Sequence, residues 1–174
     1  NQKGGVGKST TAATLAAGLS LKGYKTLSID LDAQGNLTYT AGAKTNGATA
    51  LGVLTGEVKA EDAIQHTGGG DIIAANKALA GADAFIADTG KEYRLKEALE
   101  SLQAAYDYII IDCPPSLGML TVNALTCCDG VVIPMQCEYY SLEGLSQLMI
   151  SIKQVKRLYN PALEIVGILI TMYN

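Results

Sequence analysis

Histidine is almost absent from this chain: His66 stands alone among 174 residues. The four cysteines, Cys113, Cys127, Cys128 and Cys137, form no C-x-x-C pair. Together these exclude a zinc site of the usual His and Cys spacings, and reduced thiols are expected. No apolar run approaches the roughly 20 residues that cross a bilayer. An excess of basic charge is missing too. Thirteen Lys and Arg face seventeen Asp and Glu, a net charge of −4, so no chain-wide affinity for nucleic acid is indicated. There is no internal repeat and no low-complexity linker. His66 has no evident partner and is assigned no role.

Apolar residues make up 48% of the chain and charged residues 17%. That balance suits a buried sheet with helices on both faces, and the length suits one domain over residues 1–174. Apolar strands are expected at Lys25–Leu31, Asp71–Ala75, Tyr108–Asp112, Val131–Met135 and Ile165–Met172. Helices are expected at Thr10–Lys22, Lys91–Ala105, Leu120–Cys127 and Ser141–Tyr159. Gly23 stops the first helix and Pro161 follows the last. Shorter helices are expected near Leu51–Leu54 and Ala60–Gln65. Strands that are apolar throughout and alternate with helices predict an α/β fold with a mostly parallel sheet.

The opening residues read N-Q-K-G-G-V-G-K-S-T. Glycines let a backbone curl so that successive N–H groups point at a phosphate chain. Gly4, Gly5, Val6 and Gly7 would form that cradle. Lys8 would reach the β- and γ-phosphates, Ser9 would ligate Mg²⁺, and Thr10 would contact the α-phosphate. Lys3 stands where the P-loop pattern G-x-x-x-x-G-K-[ST] has glycine, and adds a second positive charge. A P-loop needs a strand running into it, so a strand ahead of Asn1 is expected. The chain is expected to continue beyond Asn174 as well.

Two further segments end strands in carboxylates. Asp30-Leu31-Asp32-Ala33-Gln34-Gly35-Asn36 follows the first strand, at the edge where open α/β sheets bind ligands. Asp32 is the candidate for positioning a water for phosphoryl transfer, and Asp30 for supporting the loop or a Mg²⁺-bound water. Ile109-Ile110-Ile111-Asp112-Cys113-Pro114-Pro115 has the Walker B form. Asp112 should hold Mg²⁺ through a water molecule, with Asp32 counted as a further metal ligand. Pro114 and Pro115 stiffen the turn, and Gly118 frees it again. Cys113 is expected to be a small buried side chain.

These segments, in this order, together with Gln136–Gly144 (QCEYYSLEG), resemble the ParA/Soj partitioning ATPases. That group belongs to the ParA/MinD superfamily of P-loop NTPases with a deviant Walker A motif. The resemblance implies that Asp32 is catalytic, although Ala33 stands where many relatives have proline. It implies that Lys3 acts in trans across a dimer enclosing two ATP molecules; the residues themselves leave cis and trans open. It makes the Asp112–Pro115 segment a switch that responds to the γ-phosphate. Glu138, Tyr139 and Tyr140 would line the dimer face or simply start the next helix, and Asn174 would contact adenine.

The implied activity is slow, partner-stimulated ATP hydrolysis with ATP and Mg²⁺ as cofactors, serving as a switch in chromosome or plasmid partitioning. The implied partners are a second copy of the chain, a ParB-like activator and non-specific DNA, with DNA-binding residues mostly beyond Asn174. No membrane is involved, and the setting is cytoplasmic and nucleoid-associated. The alternatives are a MinD-like membrane-cycling ATPase and a ligase of the dethiobiotin-synthetase type.

Overall fold

The computed structural model describes residues 5–86, 89–137 and 139–172. Helix α1 (Lys8–Leu21) begins directly after the glycine loop, and the backbone turns out of it at Gly23, φ 90°. Strand β1 (Thr26–Asp30) is buried along its whole length. It lies between two parallel neighbours, β3 (Gly70–Ile73) and β4 (Tyr108–Asp112), with Ile29 in register with Ile73 and Ile111. Strand β2 (Ile64–Thr67) pairs antiparallel with β3 at the edge. A second sheet pairs β5 (Gly130–Gln136) in parallel with β6 (Glu164–Thr171).

The pleat divides the core. Successive strand residues point to opposite faces. Leu27, Ile29, Ile73, Ile109 and Ile111 meet α3 (Ala50–Thr55), α5 (Arg94–Leu99) and α6 (Met119–Cys127) on one face. Ile72 and Ile110 meet Ala12 of α1 and Leu37 of α2 (Asn36–Ala41) on the other. The small side chains Ala12 and Ala16 let α1 approach the sheet closely. A third cluster joins Leu125, Ile133 and Leu163 to Leu148, Ile152 and Val155 of α7 (Tyr139–Leu158). The remaining helix, α4 (Ala82–Phe85), is a single turn.

Several sequence expectations are corrected. The segment Ala60–Gln65 is not a helix: a short 3-10 turn at Glu61–Ala63 passes straight into β2. The helix expected over Lys91–Ala105 is α-helical only across Arg94–Leu99, with 3-10 turns at both ends. Buried Asn123 accounts for the start. Its Oδ1 accepts the Leu95 N–H (3.0 Å) and its Nδ2 donates to the Lys91 carbonyl (2.8 Å), so a neighbouring helix supplies the cap. The expected α/β architecture is present, with helices on both faces of β1, β3 and β4; Val166, Ile168, Leu169 and Ile170 of β6 are exposed.

Among the described residues the strands form two hydrogen-bonded sheets, in which β4 has no neighbour beyond β1 and β5 none beyond β6. Between their facing edges lies a cavity of about 200 Å³, lined by Ile109, Ile111, Val131, Ile133 and Leu148 and reaching Lys8.

Candidate functional site

The carboxyl ends of β1 and β4 bring three aspartates together beneath the glycine loop. Gly5 (φ 74°) and Gly7 (φ 86°) adopt left-handed conformations that only glycine takes without strain. Val6 between them is fully buried. Gly7 is the N-cap of α1 and has no side chain to cap it, and the first helical hydrogen bond runs from Thr11 N to the Gly7 carbonyl. The N–H groups of Lys8, Ser9 and Thr10 therefore have no partner within the helix, and the positive end of its dipole faces the same point. No acidic side chain occupies that first turn. Such an end receives an anion.

Asp112 is 3% exposed, and its Oδ2 has no hydrogen-bond partner. The Ser9 hydroxyl bonds the same carboxylate, and the Lys8 charge acts on it. Burial pushes Asp112 up to about 6; Ser9 and Lys8 pull it down, while Asp30 and Asp32 push it further up. An orphaned, buried carboxylate oxygen is costly unless a ligand completes it. The residues fit Mg²⁺, which takes one or two protein oxygens and leaves its other positions to water and substrate phosphates. Among the described residues no group of three or more His, Cys, Asp or Glu is placed to hold a metal ion.

Asp30 is the opposite case. It is fully buried, and burial raises its pKa, but donors surround it. Oδ1 accepts Asp32 N (3.0 Å), while Oδ2 accepts Thr38 N (2.8 Å) and the Thr38 hydroxyl (2.7 Å). Thr38 in turn accepts Ala75 N at 2.8 Å, tying α2 to the end of β3. Of its two expected roles, Asp30 fills the loop-supporting one. Asp32 is 9% exposed and accepts Gln34 N at 3.0 Å through Oδ1.

The side chain of Cys113 is partly buried, and burial, then the Asp112 charge, push its thiol up. Burial likewise holds Cys127 at about 12 and Cys128 at about 11, and all four cysteines are free. Lys3, Gly4, Glu138 and Asn174, and the side chains of Tyr139 and Tyr140, lie outside the described residues. His66 does have a partner: Nδ1 lies 2.6 Å from Asp71 Oδ1, far from the loop in sequence and at the other end of the strands.

Sequence reasoning missed the residues that hold the loop from behind. The Thr171 hydroxyl donates to the Val6 carbonyl (2.8 Å), and Gln136 Nε2 donates to the Gly5 carbonyl (3.4 Å). Thr38 was missed as well. A threonine soon after a strand-end aspartate was the available signal for Thr38, but nothing local marks Thr171.

A glycine loop opening an uncapped helix, beside a buried strand-end carboxylate, defines a P-loop nucleotide-binding α/β protein. The comparisons agree. The AAA domain family matches residues 1–165. The chain is 47% identical over 181 residues to the chromosome partitioning protein ParA of Caulobacter vibrioides, covering all of this chain and 68% of that protein. It is 48% identical over 177 residues to the sporulation initiation inhibitor protein Soj of Bacillus subtilis, covering 99% of this chain and 70% of that one. Among solved structures it resembles cobyrinic acid a,c-diamide synthase from Mycobacterium smegmatis with bound ATP analog and magnesium. There the TM-score is 0.95 at 42% identity, covering 100% of this chain and 73% of the other. The chain belongs to the ParA/Soj family of partitioning ATPases within the P-loop NTPases.

Proposed function

We propose that the protein binds Mg-ATP at the carboxyl end of β1 and β4, hydrolyses it slowly, and uses the nucleotide state to switch between monomer and dimer in DNA partitioning. The observation that carries this reading is the unpaired Oδ2 of Asp112, buried beside Ser9 and Lys8. Loop N–H groups and Lys8 bind the phosphate chain. Ser9 and Asp112 are the residues that would hold Mg²⁺, which neutralises triphosphate charge when bound. Asp32, steadied by Gln34 N and by Asp30 behind it, orients the attacking water. Catalysis of this kind is mostly positioning and charge stabilisation, which suits a rigid strand-end site.

Lys3 supplies a second positive charge to the triphosphate, from the partner copy of a dimer. The switch is the Asp112–Pro115 segment; just beyond it, the Thr121 hydroxyl holds the Ser116 carbonyl at 2.7 Å. Hydrolysis acts as a timer because only ligands that bind two states differently shift their balance. A ParB-like activator and non-specific DNA are the family's partners and are proposed here on that ground alone. Among the described residues no helix is long and apolar enough to cross a membrane, and a cytoplasmic, nucleoid-associated setting is proposed on family grounds. The apolar slot between β4 and β5 has the lining to accept one more strand, and a strand leading into the glycine loop is proposed to occupy it.

A second reading, an ATP-dependent ligase, has one observation in its favour. A hollow of about 530 Å³ beside the Asp32 loop is lined by Gln34, Thr38, Tyr39, Asn76 and Lys77. Polar groups of that kind can orient a small acid. The test is the solution mass of full-length Asp32→Ala protein by light scattering, with Mg-ATP and then Mg-ADP. A dimer with ATP and a monomer with ADP support the switch. A mass indifferent to nucleotide, with ATP binding confirmed, overturns it, and metabolite-dependent turnover then identifies the ligase.

A further inference from the structure

The glycine loop must leave its carbonyls somewhere. Between two left-handed glycines the backbone follows neither helix nor sheet, so the Gly5 and Val6 carbonyls have no regular partner. The structure gives them side chains from the far end of the chain. Thr171, the last residue of β6 and 165 positions from Val6, donates its hydroxyl to the Val6 carbonyl at 2.8 Å; its longer approach to the Met135 carbonyl is 3.3 Å. A hydroxyl has one proton, and the shorter contact takes it. Gln136, the last residue of β5, reaches the Gly5 carbonyl at 3.4 Å, the longer of two contacts of its Nε2, which also lies 2.7 Å from Met172 Sδ; an amide nitrogen has a proton for each. Gln136 and Thr171 are register partners across the β5–β6 pair, so the two donors stand side by side.

The consequence follows from the planar trans peptide. C=O and N–H of one peptide unit point in opposite directions. Drawing the Gly5 carbonyl outward turns the Val6 N–H to the other side, and drawing the Val6 carbonyl outward does the same for the Gly7 N–H. Those are successive donors of the anion cradle. The methyl group of Thr171 packs beneath the same peptide: a Cβ built on Gly7 would lie 3.5 Å from Thr171 Cγ2.

We propose that Thr171 is a positioning residue for the phosphate site: its hydroxyl, with Gln136 as the second prong, clamps the loop carbonyls so that the loop N–H groups face the phosphates before nucleotide arrives. The clamp also joins β5 and β6 mechanically to the nucleotide loop. This deepens the ATP-binding reading and rests on it.

The test uses full-length wild-type, Thr171→Val and Thr171→Ser proteins, titrated with a fluorescent ADP and a fluorescent ATP analogue in Mg²⁺. Valine keeps the shape and the methyl groups but has no donor. One neutral hydrogen bond is worth about 1 kcal/mol, so Thr171→Val should weaken both nucleotides about fivefold. Thr171→Ser keeps the hydroxyl and should recover most of that loss. Equal weakening by valine and serine would assign the effect to packing and overturn the clamp. So would wild-type affinity in Thr171→Val. Wild-type protein that binds neither nucleotide would overturn the ATP-binding reading itself, and the clamp with it.

Discussion

The two ends of the parallel strands carry similar side chains in different states of completion. At the amino ends every described carboxylate in the cluster is answered. Asp71 receives His66 on one oxygen and the Tyr106 hydroxyl on the other, at 2.8 Å; Asp107 accepts Lys25 N at 2.8 Å. Burial and the Asp71 carboxylate push Tyr106 up to about 12, so it remains a donor. The rings of Tyr24 and Tyr108 meet edge to face nearby. At the carboxyl ends Asp30 is likewise answered, but Asp112 keeps an oxygen unpaired and buried, under a helix end that no side chain caps. One end is finished as structure, whereas the other keeps a buried carboxylate oxygen without a hydrogen-bond partner.

The largest effect that sharpens this comparison is kinetic. Asp32→Asn should lower single-turnover ATP hydrolysis about 100-fold or more, the scale of losing a positioned acid–base group, while ATP affinity is kept. Next comes Asp112→Asn, read in nucleotide-free protein by thermal melts across pH. Asp112 sits above its ordinary 3.8, at about 6, because folding disfavours its charge. A raised carboxylate stabilises the fold fully below the ordinary value and loses that contribution as pH rises through about 6. Wild-type protein should therefore lose stability between pH 4 and 7 relative to the asparagine variant, and the two melting curves should converge at low pH.

Thr38→Val strips a donor from Asp30 and leaves Ala75 N unpaired. That should cost about 1–3 kcal/mol in denaturant unfolding, the penalty of a buried polar group left alone. The smallest effect belongs to the amino ends. His66→Ala removes a pair whose histidine is 77% exposed, so less than about 1 kcal/mol is expected. ATP turnover should not change. A turnover loss in His66→Ala would break the division between the two ends.

The sequence made local patterns readable and hid the contacts that join distant segments, at both ends of the strands. The glycine loop, Lys8, Ser9, Asp32 and Asp112 are local patterns: a loop at a helix start, and carboxylates at strand ends. Their chemistry is written within a few residues. His66, Thr38, Asn123 and Thr171 act across 5, 37, 28 and 165 positions respectively, and no local period signals such a contact. Strand β2 was misread for a related reason, whereas its partner β3 was expected. Ile64-Gln65-His66-Thr67 is too short for its alternation to outweigh the helix-forming residues before it, and pairing with β3 decides the matter.

The most direct measurement of the central claim is the Mg²⁺ dependence of ATP binding, in full-length wild-type and Asp112→Asn proteins, by titration with a fluorescent ATP analogue with and without the metal. Mg²⁺ should tighten wild-type binding about tenfold and the variant by less than about threefold, because the carboxylate that would help hold the metal is gone. An equal Mg²⁺ effect in both proteins would contradict the assignment of the unpaired Asp112 oxygen to the nucleotide's metal.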